Sequence, residues 1–110
     1  YSRRFGTSGT ITNNQSNSNG LGVSFSSNSG DEHAVEIDYT ITRGTAKRQG
    51  VLRITQDGTA QVIDDDFSEN NGTTGVTFSL TNSSNITTLL YTSTSTGTSG
   101  TMQYSIRTIS

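Results

Sequence analysis

The sequence predicts an all-β domain, an antiparallel β-sandwich or jelly-roll-like fold of about eight short strands, and three observations predict it. Val35, Ile37, Tyr39 and Ile41, and again Val76, Phe78 and Leu80, place apolar residues at every second position with polar residues between. That is the period of a sheet with one buried and one wet face. No window holds apolar residues at the i, i+3, i+4 spacing of an amphipathic helix. Gly, Asn and Ser stand between the short runs, where strands must turn.

Residues 1–20 are predicted as a polar N-terminal arm or linker, because Ser, Thr, Asn and Gly dominate from Thr7 to Gly20; such a stretch spaces domains or wraps a neighbour. Residues 21–110 are predicted as one sandwich domain, since a core of this size rarely divides. Strands are predicted over Thr10–Thr12, Leu21–Ser26, Ala34–Thr42, Val51–Gln56, Ala60–Ile63, Val76–Thr81, Thr87–Thr92 and Thr101–Ile109. Asp57-Gly58, between two of them, favours a type I′ hairpin turn, whose central residues both need positive φ. Matching apolar rows places Ile41 opposite Leu52 and Tyr39 opposite Ile54, leaving RGTAKRQG as a loop. The same matching places Leu89 opposite Ile106 and Tyr91 opposite Tyr104, with STSTGTSG as a hairpin tip. The start at Tyr1 rather than Met suggests a processed product or a piece of something longer.

Composition narrows the chemistry. Ser, Thr and Asn make up 46 of the 110 residues, and Cys, Pro and Trp are absent, so neither a disulfide framework nor a thiolate metal site is available. Leu, Ile, Val and Phe total 22, close to the roughly 20% level below which disorder becomes the default at high net charge. The net charge is only −2, and the regular alternation argues for a folded domain with a thin core. Self-association is one way for such a domain to bury more apolar surface. No stretch approaches the ~20 apolar residues of a membrane-crossing helix, so no membrane insertion is expected.

Charge falls in blocks. Asp31, Glu32, Glu36 and Asp38 are followed by Arg43, Lys47, Arg48 and Arg53, then by Asp57, Asp64, Asp65, Asp66 and Glu69. This alternation suggests salt bridges, within or between subunits, more than one binding field. Arg43, Lys47 and Arg48 have two readings, an anion contact or a solvated hairpin tip. The negative net charge and scarcity of aromatics favour the tip, and no nucleic-acid partner is expected. The loop also lacks the Gly-Lys-Ser/Thr ending of a phosphate-binding loop.

Asp64 to Asp66 invite a calcium reading, but consecutive carboxylates on an extended chain point to opposite faces, and an acidic turn is the simpler account. No metal and no cofactor is therefore expected. His33, the one histidine, stands beside Asp31 and Glu32; hydroxyls are so abundant that a Ser near it carries no weight, and no enzymatic activity is expected. The N-x-Ser/Thr sequons at Asn14, Asn71, Asn82 and Asn85 are chance matches in such a composition. Outward Thr and Ser rows resemble an ice-binding or glycan-binding plane, but β-propensity alone accounts for Thr.

Two segments carry a resemblance: HAVEIDYTITRGTAKRQGVLRIT and GVTFSLTNSSNITTLLYTSTSTGTSGTMQYSIRTIS. In their strand endings and closing Y-T-S-T-S-T-G and M-Q-Y-S-I-R runs they resemble the small all-β domains of bacteriophage tail fibres and related virion appendage proteins. The resemblance implies a non-enzymatic virion structural protein of tail-fibre or spike type, trimeric, contacting other virion proteins and a host surface glycan or receptor. It would be assembled in the host cytoplasm and reside in the virion. Binding loops gather at sandwich ends, which makes Arg43, Lys47, Arg48, Thr96 and Thr98 the candidate contact residues. A capsid decoration, cement or head-fibre protein would share the fold and differ in partner. A carbohydrate-binding module of a secreted bacterial protein ranks lower, because sugar sites usually offer aromatic faces and Tyr39, Tyr91 and Tyr104 hold apolar-row positions.

Overall fold

The computed structural model describes residues 2–3, 7–26, 34–57 and 60–109, and every regular element among them is a β-strand. The ten strands are β1 (Ser2–Arg3), β2 (Thr7–Ile11), β3 (Gln15–Ser18), β4 (Ser24–Ser26), β5 (Ala34–Arg43), β6 (Ala46–Asp57), β7 (Ala60–Asn70), β8 (Val76–Ser83), β9 (Ile86–Ser93) and β10 (Gly100–Ile109). They form two antiparallel sheets. In the larger, β10, β5, β6 and β7 lie side by side, and β1 and β2 share the outer edge of β10. In the smaller, β8 pairs one edge of β9, while β3 and β4 share the other.

Alternation dictates this sandwich. Val35, Ile37, Tyr39 and Ile41 of β5, Leu52 and Ile54 of β6, and Met102, Tyr104 and Ile106 of β10 face inward. They meet Val76 of β8, Leu89 and Tyr91 of β9, and Val23 and Phe25 in and before β4, all in one buried cluster. The core is less thin than the composition suggests, because nearly every apolar residue of the central strands is committed to it.

All eight predicted strands are present, but β6 and β7 are much longer than predicted, and one register and one pairing differ. The β5–β6 pairing runs from Ala34↔Thr55 to Arg43↔Ala46, so Ile37 faces Leu52 and Ile41 faces Arg48. The expected register is off by four residues. An even slip preserves which side chains face inward, so the apolar rows could not reveal it. RGTAKRQG is therefore not a loop: it is strand on both sides of a Gly44-Thr45 tip, Gly44 sitting at φ +63°. Nor do β9 and β10 form a hairpin. They lie in different sheets, and residues 94–99 cross between them.

The stretch read as an arm is built into the sandwich from Thr7 onward. Strand β2 pairs with β10 and β3 with β9, and Ile11 is fully buried. Asp64 to Asp66 form no turn but lie mid-strand in β7, opposite Arg53, Leu52 and Val51. The Asp57↔Ala60 pairing gives β6 and β7 a two-residue connection; Gly58, on which its turn type rests, is outside the described residues. Strands β8 and β9 join through Ser84 and Asn85, both at positive φ (52° and 62°), as a type I′ turn requires.

Gly50 lets three strands close up. A Cβ there would stand 2.7 Å from the Phe67 Cβ and 2.8 Å from both the Asp66 carbonyl oxygen and the Tyr39 hydroxyl. Because one of these is backbone, relief requires moving β7. Gly50→Ala is expected to destabilise the fold by about 1–3 kcal/mol, read as a lower urea midpoint at unchanged m-value. An unaltered midpoint would show that the β6–β7 spacing is not set by this glycine.

Candidate functional site

Arg43 ends the inward row of β5, so its side chain enters one end of the sandwich and is only 5% exposed. A guanidinium presents five N–H donors in a fixed fork, and here they hold three connections together. Nε donates to the Thr98 carbonyl (2.8 Å), Nη1 to the Thr74 carbonyl (2.8 Å), and Nη2 to Asn13 Oδ1 (2.7 Å) and the Thr94 carbonyl (2.5 Å). Asn13 Oδ1 also accepts the backbone amides of Thr96 (2.9 Å) and Gly97 (3.2 Å). The connections β2–β3, β7–β8 and β9–β10 thus converge on one buried cation. Gly100 makes room for it, since a Cβ there would stand 3.0 Å from the Arg43 Cβ and 2.8 Å from the Thr42 carbonyl oxygen.

Arg48 is also buried, 4% exposed, but in a separate cluster beneath β7. Its Nη2 lies 2.9 Å from Glu69 Oε2, its Nε donates to the same oxygen at 2.9 Å, and its Nη1 stands 3.6 Å from Asp65 Oδ2. The Phe67 ring covers the guanidinium at 3.9 Å, a cation–π contact. Tyr39 donates its hydroxyl proton to Asp65 Oδ1 (2.6 Å), and the Thr74 amide (3.0 Å) and hydroxyl (2.6 Å) both donate to Glu69.

These contacts push the two carboxyl groups apart in acidity. At Asp65 desolvation dominates and raises the pKa, with Asp64 and Asp66 adding to it, against the lowering effect of Tyr39 and Arg48. At Glu69 desolvation is outweighed by the Thr74 and Arg48 hydrogen bonds, and the pKa falls to about 2. Burial and the neighbouring Asp65 push the Tyr39 hydroxyl well above its ordinary value, so it stays protonated and holds Asp65 as a donor.

At the opposite end Gln56 plays a similar bridging part. Its amide donates to the Ser26 carbonyl (2.9 Å) and accepts the Thr87 hydroxyl (2.8 Å), which in turn accepts from Asn82 (3.0 Å).

The five predicted contact residues therefore divide. Lys47, Thr96 and Thr98 are exposed; Arg43 and Arg48 are withdrawn from solvent and make no contact surface of their own. Arg43 and Thr98 meet through a backbone carbonyl, whereas Arg48 belongs to the β7 cluster. The missed signal was parity. Arg43 continues the row of Val35, Ile37, Tyr39 and Ile41, and Arg48 the row of Ile54, Leu52 and Gly50, so alternation carried through the supposed loop would have placed both inside. The charge blocks pair within the chain: Arg53 reaches Glu36 (3.5 Å) and Asp66 (3.7 Å), and Arg107 pairs with Glu36. His33, with Asp31 and Glu32, lies outside the described residues.

The outer face of the larger sheet carries an open groove of about 930 Å³ crossing β2, β10, β5, β6 and β7. Register sets its floor in two rows, Ser105–Asp38–Val51–Asp66 and Ser8–Gln103–Thr40–Gln49–Ser68.

No protein-family model matches the sequence, and no curated protein does either. Among solved structures the chain is similar to the tailspike protein of an Acinetobacter phage, with TM-score 0.41 and 16% identity, over 97% of this chain and 22% of that one. The chain thus spans about a fifth of the tailspike's length.

Glu69 makes stability fall in acid. Its folded pKa lies below its unfolded value, so its stabilisation is complete above about 4.5 and is lost as the pH falls towards about 2. The raised pKa of Asp65 has the opposite sign and partly offsets this. The melting temperature is expected to drop across that window, and Glu69→Gln should start lower at neutral pH and show a flatter profile. A variant with the wild-type slope would mean that Glu69 is not the group responsible.

Proposed function

We propose that this chain is a non-enzymatic structural domain of a bacteriophage virion appendage, of tail-fibre or spike type, which attaches to the host surface as a homo-oligomer. One observation carries the reading. A buried arginine is spent on fixing three loops rich in Thr, Ser, Gly and Asn, and this gives a sandwich end whose exposed hydroxyls and amides are held in place before any partner arrives. Pre-organisation of this kind lowers the ordering entropy that a loop surface otherwise loses on binding. Thr96, Thr98 and Lys47 are among the exposed side chains of that end, and Arg43, through the Thr98 and Thr94 carbonyls and Asn13, is the positioning residue of the segment that carries the two threonines. The resemblance of the two long sequence segments to phage appendage domains supplies the particle and the number three. Val62 and Phe67, exposed by 66% and 44% on β7 at the free edge of the larger sheet, are apolar surface that subunit association would cover.

Light scattering is expected to give about three times the 11.7 kDa chain mass. Arg43→Met should keep the strand signal in far-UV circular dichroism while host-cell attachment falls at least tenfold. Attachment at wild-type strength with the loops released, or a folded monomer at micromolar concentration, would overturn the corresponding half of the reading. Gold-labelled antibody should mark appendage tips on the particle; label spread over the capsid face would replace this reading with a shell-decorating role.

A further inference from the structure

We infer that the groove on the outer face of the larger sheet is a glycan subsite selective for amino-substituted sugars. The inference deepens the attachment reading by naming a ligand class, and it places that ligand on the sheet face instead of the loop end. Three properties of the groove lead there. Its floor is formed largely by β10, β5 and β6, strands paired on both sides, so its side chains keep fixed spacings. Gln103, Thr40 and Gln49 stand side by side in one row, and such amides and hydroxyls both donate to and accept from sugar hydroxyls. In the next row Val51 stands between Asp38 and Asp66.

Strands are ~4.8 Å apart, so these two carboxylates flank Val51 at a span of about 10 Å. A single pyranose ring fits over the valine with its substituents directed at the acids. Among the described residues no Lys or Arg lines the groove. Arg53 reaches Asp66 from the neighbouring row at 3.7 Å and turns its Nε to Glu36, so the carboxylate left for a ligand is Asp38, exposed on the central strand β5. An ammonium group on the sugar satisfies it with a charge-assisted hydrogen bond. A carboxylate-bearing sugar seated over Val51 instead faces the like charges of Asp38 and Asp66, with the cations Arg107, Arg53 and Lys47 only in the flanking rows.

The test is titration of the whole chain with the glucosamine tetrasaccharide at pH 6, alongside its fully N-acetylated form and tetragalacturonate, followed by NMR shifts. The glucosamine tetramer is expected to move the amides of Asp38, Gln49 and Gln103, the acetylated tetramer to bind more weakly, and the acidic one not at all. Asp38→Asn should weaken glucosamine binding about tenfold, the ~1.4 kcal/mol of one charged hydrogen bond. Asp64→Asn, which removes the same charge from β7 outside the groove, should leave binding unchanged. Equal binding of the three sugars, no binding of the glucosamine tetramer, or equal loss in both variants would overturn the inference. Failure of the groove is read out in Asp38→Asn and failure of the loop-end reading in Arg43→Met.

Discussion

The burial of Arg43 is the constraint on which the rest of this molecule depends. A guanidinium taken out of water loses hydration worth several kcal/mol unless its donors are met, and this one is met by three carbonyls and an amide oxygen from three different connections. The loops cannot rearrange without stranding the charge, and the charge cannot leave without opening the end of the sandwich. Loop geometry and sheet packing are thereby made one cooperative unit. In a chain whose connections are mostly small polar residues, this coupling replaces what larger apolar side chains do at the ends of other sandwiches.

The same solution recurs around the core. Gln56, Thr87 and Asn82 join the sheets at the far end, and Arg48, Glu69, Asp65 and Tyr39 fill the space under β7 that the narrower sheet leaves uncovered. Such networks stabilise only when nearly every member is satisfied. Among the buried side-chain atoms of the described residues Arg48 Nη1 alone lacks a hydrogen bond, and the Asp65 carboxylate at 3.6 Å supplies its counter-charge. Polar interiors of this kind stabilise less per residue than apolar ones, but they tolerate few alternative packings.

Strand existence and the inward face were legible in the sequence, because both follow from a local period of two. Strand neighbours were not. A register slip of four residues, as between the expected Ile41↔Leu52 and the observed Ile37↔Leu52, leaves every side chain on the same face, so no single-strand pattern distinguishes the alternatives. Leu89, Tyr91, Tyr104 and Ile106 likewise read as one hairpin, yet they line opposing sheets; apolar rows match across a core as readily as along a ladder. Charge misled for a different reason. Arg43 and Arg48 were assigned to solvent by residue type, although parity put them inside. Gln15–Ser18 escaped notice because its side chains, half-buried or exposed, carry no apolar alternation.

The divided sandwich leaves two surfaces with different physics. The loop end is held by one buried cation and presents short hydroxylated side chains, so its chemistry can vary by substitution at Thr96 or Thr98 while the clasp is kept. The sheet face has no such freedom: Asp38 lies between Val51 and Ser105, and Gln49 between Thr40 and Ser68, so an exchange there changes the neighbours on both sides. Surface loops accept variation and a central sheet face resists it. A protein built this way can alter what its end touches while keeping one chemistry on its flank, and the clasp at Arg43 separates the two.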